Sequence, residues 1–442
     1  MSYNKYFFIG VGGIGMSSIA NYLIDTKNIV FGYDRSSNKL VDKLIGDGLQ
    51  FTDKQDLGLV PKDFLDDNVI VVYTPAIKND NVFLDFFLKK RNKILKRSEI
   101  LGQISANSKC IAVAGTHGKT STTAILSHLL YFNQVKFKSF VGGIMKGFDS
   151  NYLSTGDEYV IVEADEYDRS FLALDPDYSV ITSIEKDHLD IYDDLESILA
   201  SFSIFSDKTK KSVIAEKDIN IKKDYSFSID QDADYSAINI KNDLNGINFD
   251  FKTPNNLISN IYAKVIGKHN LKNVISALAL IDQIEEFNLE EFLPYLSKFQ
   301  GIERRMDIYK YKDKVIVDDY AHHPTEIKSI IDAIDSIFQD RTKAVIFQPH
   351  LYTRTRDLME DFAKVLSCFH EVYLLDIYPA REKPINGITS EVLLNKIDAS
   401  KKEIINKVKI NDVINQTNCK IISILGAGDL TFNLNKKKFT NE

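Results

Sequence analysis

Cys110-Ile111-Ala112-Val113-Ala114-Gly115-Thr116-His117-Gly118-Lys119-Thr120-Ser121-Thr122-Thr123 is the stretch that decides the fold. Ile111 to Ala114 is a short apolar run of the kind found in buried strands. Gly115 to Thr120 follows as a glycine-bounded loop. Ala124-Ile125-Leu126-Ser127-His128-Leu129-Leu130 then carries a helical pattern. A strand, a loop and a helix N-terminus form an anion cradle, because the first helical turn has N–H groups without helical partners and lies at the positive end of the helix dipole. In such a cradle Lys119 can reach the outer phosphates of a nucleotide and the Thr120 hydroxyl can ligate Mg²⁺. The general phosphate-loop pattern, G-x-x-x-x-G-K-[ST], asks for glycine where this chain has Val113.

Working outward, two more segments open with a strand, a loop and a helix. Tyr6-Phe7-Phe8-Ile9 runs into Gly10-Val11-Gly12-Gly13-Ile14-Gly15 and a helical stretch from Met16 to Ile24. Asp34 ends the next apolar run, about twenty residues on, which is the spacing of a diphosphate-binding fingerprint with its ribose-binding acid. NAD, FAD and a UDP-sugar all satisfy that description. The third segment begins at Lys314-Val315-Ile316-Val317-Asp318-Asp319. It continues through strand candidates at 344–347, 372–375 and 421–425, with a helical pattern from Glu326 to Ile337. Alternating β and α elements imply parallel sheets with right-handed crossovers. The expected fold is therefore α/β in three domains: a Rossmann-like N-terminal domain (1–107), a central P-loop ATPase-type domain (108–300) and a C-terminal Rossmann-like domain (301–442). The polar stretch 206–262 is expected to supply short strands at the edge of the central domain.

Composition narrows the class. The chain has 442 residues, 44% apolar and 26% charged, within the range of soluble globular proteins. Its net charge of −7 and dispersed basic residues argue against a nucleic-acid binder. No segment reads as a secretory leader or a membrane span, so a cytoplasmic protein is expected. Cys110, Cys368 and Cys419 lack metal-site spacing and read as buried small hydrophobes in a reducing compartment.

Polar clusters follow the apolar strands, at the edge where ligands bind in parallel sheets. Tyr159-Val160-Ile161-Val162 ends in Glu163-Ala164-Asp165-Glu166, which places Glu163 to share a cation with Thr120. A second strand, 179–184, ends near His188. Asn270 and Asn273, three apart on one helix face, can read an adenine edge or a ribose, while simple N-capping by Asn270 is the plainer alternative. Arg304-Arg305, Asp319-Tyr320 and His350 to Arg354 crowd cations, rings and imidazoles at strand ends. This suits a crevice for a carboxylate held by Arg. His128 and His370 sit in ordinary contexts and receive no role.

Assembled in order, these motifs resemble the Mur ligases of peptidoglycan synthesis over nearly the whole chain, from about Phe8 to Asp429. The carriers are Gly10 to Met16, Ala114 to Thr120, Glu163 to Glu166, Gly267 to Asn270, Asp318 to Glu326, Phe347 to His350 with Tyr352 to Thr355, and Leu425 to Asp429. The family's loop is G-T-x-G-K-[ST], so Val113 fits it, and the N-terminal fingerprint is implied to hold a UDP-sugar through Gly10, Gly12, Gly13, Gly15, Met16 and Asp34. The resemblance implies ATP and Mg²⁺ as cofactors and ligation of L-alanine to UDP-N-acetylmuramate through an acyl phosphate. The alternative is a recycling ligase that adds a murein tripeptide to the same sugar nucleotide. Gly115, Thr116, His117, Gly118, Lys119, Thr120, Ser121, Asn270, Asn273, Arg305 and Asp319 are implied at ATP. Thr120, Glu163 and His188 are implied at the metal, and Tyr320, His350 and Arg354 at the amino acid. Lys119, Arg305 and His350 are the expected catalytic groups, with His350 as the base that deprotonates L-alanine. A monomer or homodimer is expected. The chain departs from the family at Leu351, where Arg is common, and at Tyr167, where Ser is common.

Overall fold

The computed structural model describes residues 4–78, 80–185, 191–192, 194–380, 382–428, 430 and 440–441. The chain divides into two compact units, Met1–Ile184 with Leu199–Phe227 and Ser276–Tyr295, and Glu185–Ile198 with Ser228–Ile275 and Leu296–Glu442.

The first unit holds two parallel-rich sheets. In the N-terminal sheet, Lys5–Ile9 lies at the centre between Ile29–Tyr33 and Ile70–Tyr73, with Gln50–Thr52 and Ile94–Lys96 outermost. Phe7, Phe8 and Ile9 are fully buried, as a strand covered on both faces requires. The Phe7 ring packs 4.9–5.2 Å from those of Phe31, Phe83 and Phe87, which ties the helix Val82–Lys90 to the sheet. Ile9 pairs in register with Tyr33 and Tyr73, Tyr33 with Thr52, and Tyr73 with Lys96. Gly10, Asp34 and Arg97 consequently leave the sheet at one level.

The second sheet of this unit runs in the order Tyr225–Ser228, Ser212–Glu216, Tyr178–Ile181, Lys109–Ala114, Tyr159–Ala164, Phe137–Met145, Ser150–Ser154. Only the last pairing is antiparallel. Ala114 aligns with Ala164 on one side and Ile181 on the other. Gly115, Asp165 and Thr182 therefore emerge together. The strand expected over 179–184 stops at Ile181, and Thr182 and Ser183 fold against the phosphate loop instead.

In the second unit, Tyr235–Asn242, Ile247–Lys252 and Leu257–Ala263 form an antiparallel meander, the strands expected within the polar 206–262 stretch. The C-terminal sheet runs Lys401–Ile404, Glu371–Leu374, Lys343–Phe347, Ile421–Leu425, Lys314–Asp319, Asp307–Tyr311, Thr440–Asn441. Alternate residues of its strands enter opposite cores. Val315, Val317, Val345 and Phe347 pack with Ile327, Ile330, Ile331 and Ile334 of the helix Pro324–Ile337. Ile316, Ala344, Ile346, Ile422 and Ile424 pack with Ile410, Val413 and Ile414 of the helix Ile410–Gln416. Each fully buried Ile or Phe side chain is worth roughly 1.5–3 kcal/mol against exposure. Asp319, Leu425, Phe347 and Leu374 share one register, so the segments that follow them also start at one level.

One expectation is corrected here. Cys110 and Cys419 are buried, but Cys368 is exposed. It lies just beyond the helix Met359–Leu366, on the turn into the next strand, rather than on that helix's core face. No helix among the described residues is long and apolar enough to cross a membrane.

Candidate active site

Backbone conformation builds the phosphate loop. Gly115 and Gly118 have φ of +130° and +86°, which glycine reaches without strain. A Cβ on Gly115 would stand 2.2 Å from Thr182 Oγ1. Ser183 holds the loop from the neighbouring strand end: its carbonyl accepts the Thr116 N–H at 2.9 Å and its hydroxyl accepts the His117 N–H at 2.9 Å. The helix Lys119–Phe132 begins directly at the lysine, so its first-turn N–H groups, including that of Ser121, point toward the loop's concavity.

Lys119 is half-buried and already engaged. Its ammonium donates to the carbonyls of Gly115 and Thr116 and to Glu166 Oε2, 2.7 Å away. Burial pushes its pKa down, but Glu166, Asp165 and Glu163 outweigh this and hold it above its ordinary value. Thr120 donates to Glu163 Oε2 at 3.2 Å, and Glu163 Oε1 accepts the N–H of Gly142. Thr120 and Glu163 thus present hard oxygen donors side by side, a set suited to Mg²⁺. His188, the third expected ligand, lies outside the described residues.

The glycine loop after Lys5–Ile9 is tied to its neighbour strand. The Gly10 and Val11 N–H groups donate to the Tyr33 carbonyl at 2.8 and 3.1 Å, and Gly10 has φ +90°. Asp34 accepts the N–H of Gly12 at 2.8 Å and that of Arg35 at 2.7 Å. In this structure its carboxylate fastens the loop. Gly13 is the N-cap of the helix Ile14–Asp25, and Met16 is buried beneath the loop.

Arg97 is a residue that the sequence reading missed. It follows the strand Ile94–Lys96, pairs with Asp165 at 2.8 Å, and stands where a Cβ on Gly15 would be 2.7 Å from its Nη1. Lys96 pairs with Asp168 at 3.1 Å. Together they join the glycine-loop side of this unit to the phosphate-loop side. Between them lies a cleft of about 180 Å³, lined by Ile14, Gly15 and Ser18 on one wall and by Lys119, Gly142, Glu163 and Asp165 on the other. The available signal was the one used elsewhere, a cation immediately after a strand.

In the second unit, Tyr320, His350 and Arg354 come together as expected, along with two rings that were not foreseen. His350 stacks on Tyr378 with centroids 5.6 Å apart and meets His322 at 5.7 Å, and His322 meets Tyr320 at 5.5 Å. The guanidinium groups of Arg305 and Arg304 lie 5.2 and 5.6 Å from the Tyr320 ring. Arg304 also donates to the carbonyls of Gly426 and Gly428 at 2.6 Å each and pairs with buried Asp318 at 3.2 Å. Asp319 is buried and accepts the N–H groups of Met306 at 2.6 Å and Ala321 at 2.7 Å. Burial raises its pKa to about 7, opposed by the Arg305 charge. Leu351, at the position where the family often has Arg, is buried with φ +71°. An arginine there would need a charge partner in the interior.

Asn270 and Asn273 lie on one face of the helix Lys268–Asp282, with Asn273 Nδ2 3.4 Å from Asn270 Oδ1. The N-capping alternative for Asn270 does not hold. The helix starts two residues earlier, and the Asn270 amide donates to the Ile266 carbonyl at 2.9 Å.

Three family descriptions match in chain order: the Mur ligase family catalytic domain over residues 5–109, the Mur ligase middle domain over 113–281, and the Mur ligase glutamate ligase domain over 304–431. The chain is 41% identical over 438 residues to a UDP-N-acetylmuramate–L-alanine ligase of Christiangramia forsetii, covering 98% of this chain and 96% of that one. It is 39% identical to the protein of that name from Flavobacterium psychrophilum, covering 97% and 96%. Among solved structures, a UDP-N-acetylmuramate–alanine ligase from Thermotoga maritima superposes with a TM-score of 0.81 at 25% identity, covering 97% and 96%. A murein peptide ligase from Psychrobacter arcticus shares the fold with a TM-score of 0.71 at 21% identity, covering 96% of each chain.

Proposed function

Because the chain belongs to the Mur ligase family, we propose that it joins L-alanine to UDP-N-acetylmuramate in an ATP-dependent amide ligation, as an enzyme of peptidoglycan synthesis. The cleft in the first unit is the observation that supports this most. A substrate seated on the N-terminus of the helix Ile14–Asp25 would present its carboxylate toward Lys119, where a nucleotide's terminal phosphate would lie.

A free carboxylate does not form an amide usefully, because oxide is too poor a leaving group. ATP supplies the phosphoryl group that turns this carboxylate into an acyl phosphate, with Mg²⁺ neutralising the phosphate oxygens. Thr120 and Glu163 would hold the metal. Lys119 and the loop N–H groups from Gly115 to Ser121 would position the phosphates, and this phase of the reaction is mainly a matter of positioning and charge. Arg305 is assigned to the γ-phosphate charge, Asn270 and Asn273 to the adenosine, and Asp319 to the ATP site beside Arg305, where it also accepts the Met306 N–H. Gly10 to Met16 and Asp34 form the sugar-nucleotide loop, and Arg97 orients its substrate within the cleft.

Tyr320, His350 and Arg354 are assigned to L-alanine. Arg354 pairs with its carboxylate and His350 takes a proton from its ammonium. The amine then forms the C–N bond as the C–O bond to phosphate breaks. By domain, residues 1–107 are assigned to the sugar nucleotide, 108–300 to ATP and 301–442 to the amino acid.

ADP release from ATP and Mg²⁺ with UDP-N-acetylmuramate tests the reading in three arms, with L-alanine, with the murein tripeptide, and with neither. Release that depends on L-alanine is expected. Release with the tripeptide alone would reassign the protein to recycling.

A further inference from the structure

His350 and Arg354 stand four residues apart, on either side of the entry to the helix Tyr352–Asp357, and Arg354 Nη1 lies 3.3 Å from His350 Nδ1. A guanidinium has donors and no acceptor. In this geometry Arg354 donates and His350 Nδ1 accepts, which assigns the imidazole the tautomer with its proton on Nε2 and its Nδ1 lone pair facing Arg354.

The pair is held in this geometry from several sides. The Leu351 N–H donates to the Tyr378 carbonyl at 2.9 Å, and the Tyr378 N–H donates to the Pro349 carbonyl at 2.8 Å. These bonds clamp the backbone on both flanks of His350. The imidazole is stacked on Tyr378 with an interplanar angle of 16°. Arg354 is only 7% exposed. Its helix is anchored by Glu382, whose carboxylate accepts the N–H groups of Tyr352 and Thr353 and the Thr353 hydroxyl. The base expected for the second half of the reaction is thus covered by the cation expected to bind the substrate.

We propose that Arg354 covers the His350 lone pair until a carboxylate-bearing amine arrives. This inference rests on the assignment of the cluster to L-alanine. The alanine carboxylate draws the guanidinium into a charge-assisted pair, and His350 Nδ1 is uncovered. One proton passes from the alanine ammonium to Nδ1, giving an imidazolium protonated on both nitrogens. The amine lone pair forms the bond to the acyl carbon, phosphate departs with the electrons of the broken C–O bond, and the second amine proton leaves with it. The substrate carboxylate is read twice, once for binding and once to release the base. Arg354 is on this view both a substrate clamp and a positioning residue for His350.

The test uses ethylamine, which is alanine without its carboxylate, in the full-length enzyme with UDP-N-acetylmuramate, ATP and Mg²⁺. Wild-type enzyme should use it poorly. Arg354→Met, which removes the covering donor, should lose activity with L-alanine. It should gain about tenfold in ethylamine-dependent ADP release, the scale of one charge-assisted hydrogen bond removed. A simple carboxylate clamp predicts no gain with ethylamine, and an unchanged or lower rate in a folded variant would overturn the proposal. Thermal melting checks the fold. Should Arg354→Met fail to fold, ¹⁵N spectra of histidine-labelled wild-type protein decide, with His350 assigned by loss of its signal in His350→Gln. An unprotonated Nδ1 in the free enzyme that shifts on adding L-alanine is expected, and a protonated Nδ1 in the free enzyme refutes the covering. Wild-type ADP release that ignores L-alanine would instead overturn the functional reading beneath it.

Discussion

The phosphate loop and the His350–Arg354 cluster are made of different material. The loop is one contiguous segment. Its shape comes from two glycines at positive φ and from the backbone of the adjacent strand end, and one lysine supplies its charge. The cluster draws His322, His350, Arg354 and Tyr378 from separate stretches that meet because Asp319, Phe347 and Leu374 share a register. Glycine and N–H groups hold whatever carries phosphate oxygens. Rings and guanidinium groups select a particular small molecule. The first region should therefore fail abruptly when a single residue changes, while the second should change its preferences by degrees.

The sharpest break of that contrast is Lys119→Met. It should lower ADP release by at least about 10²–10³-fold, the usual scale for removing one group that stabilises transition-state charge, and it should also lower the melting temperature, since it takes away the ammonium that faces the buried Glu166 carboxylate. A loss under tenfold would show that the loop does not depend on its lysine. Gly115→Ala comes next. A Cβ at φ +130°, 2.2 Å from Thr182 Oγ1, must deform the loop, at a cost of about 1–3 kcal/mol. Binding of an ATP analogue, measured by calorimetry, should weaken while binding of the sugar nucleotide does not.

In the other region, Glu382→Gln weakens the charge that anchors Tyr352–Asp357. A loss of about 1 kcal/mol, typical of a helix cap, should appear as a severalfold rise in the L-alanine KM. The ATP KM should stay unchanged, and an equal rise in both would deny the cluster its amino-acid role.

The smallest effect concerns stability. Burial, reinforced by the Arg305 charge, lowers the His269 pKa from 6.5 to about 4. The folded state then resists protonation that the unfolded state accepts, so stability is lost as pH falls from about 6.5 toward 4. Asp319, raised from 3.8 to about 7, works in the opposite sense: its contribution is full below about 4 and is lost as pH rises toward 7. Denaturant melts of wild type and His269→Gln, compared at pH 5 and pH 7.5, isolate the histidine. Their gap should narrow at pH 5.

What the sequence made legible follows the same division. The strand, loop and helix at 109–132 and the glycine loop at 10–15 could be read directly, because local backbone chemistry and apolar periodicity specify both. Arg97 was not legible, since its significance depends on the alignment of Lys96 with Tyr73 and of Tyr73 with Ile9, a long-range register. Tyr378 and Glu382 were missed for a related reason. They belong to an irregular segment whose backbone meets His350 through an isolated parallel bridge, outside any regular strand. Asp34 was legible as a position at the end of its strand, but its hydrogen bond to Gly12 was not, because that bond depends on where the glycine loop turns.

Lys119 has a consequence for how tightly a nucleotide can be held. An ammonium has three hydrogens, and here they are matched by two carbonyl oxygens and one carboxylate oxygen. An incoming phosphate adds nothing to that tally; it substitutes for a member of it. The free energy of association is then the difference between two well-made arrangements, and its heat should be small and sensitive to the fate of Glu166. Anions that cannot also compensate Glu166, such as sulfate, should compete feebly, so the loop discriminates among phosphates through what it must give up rather than through what it gains.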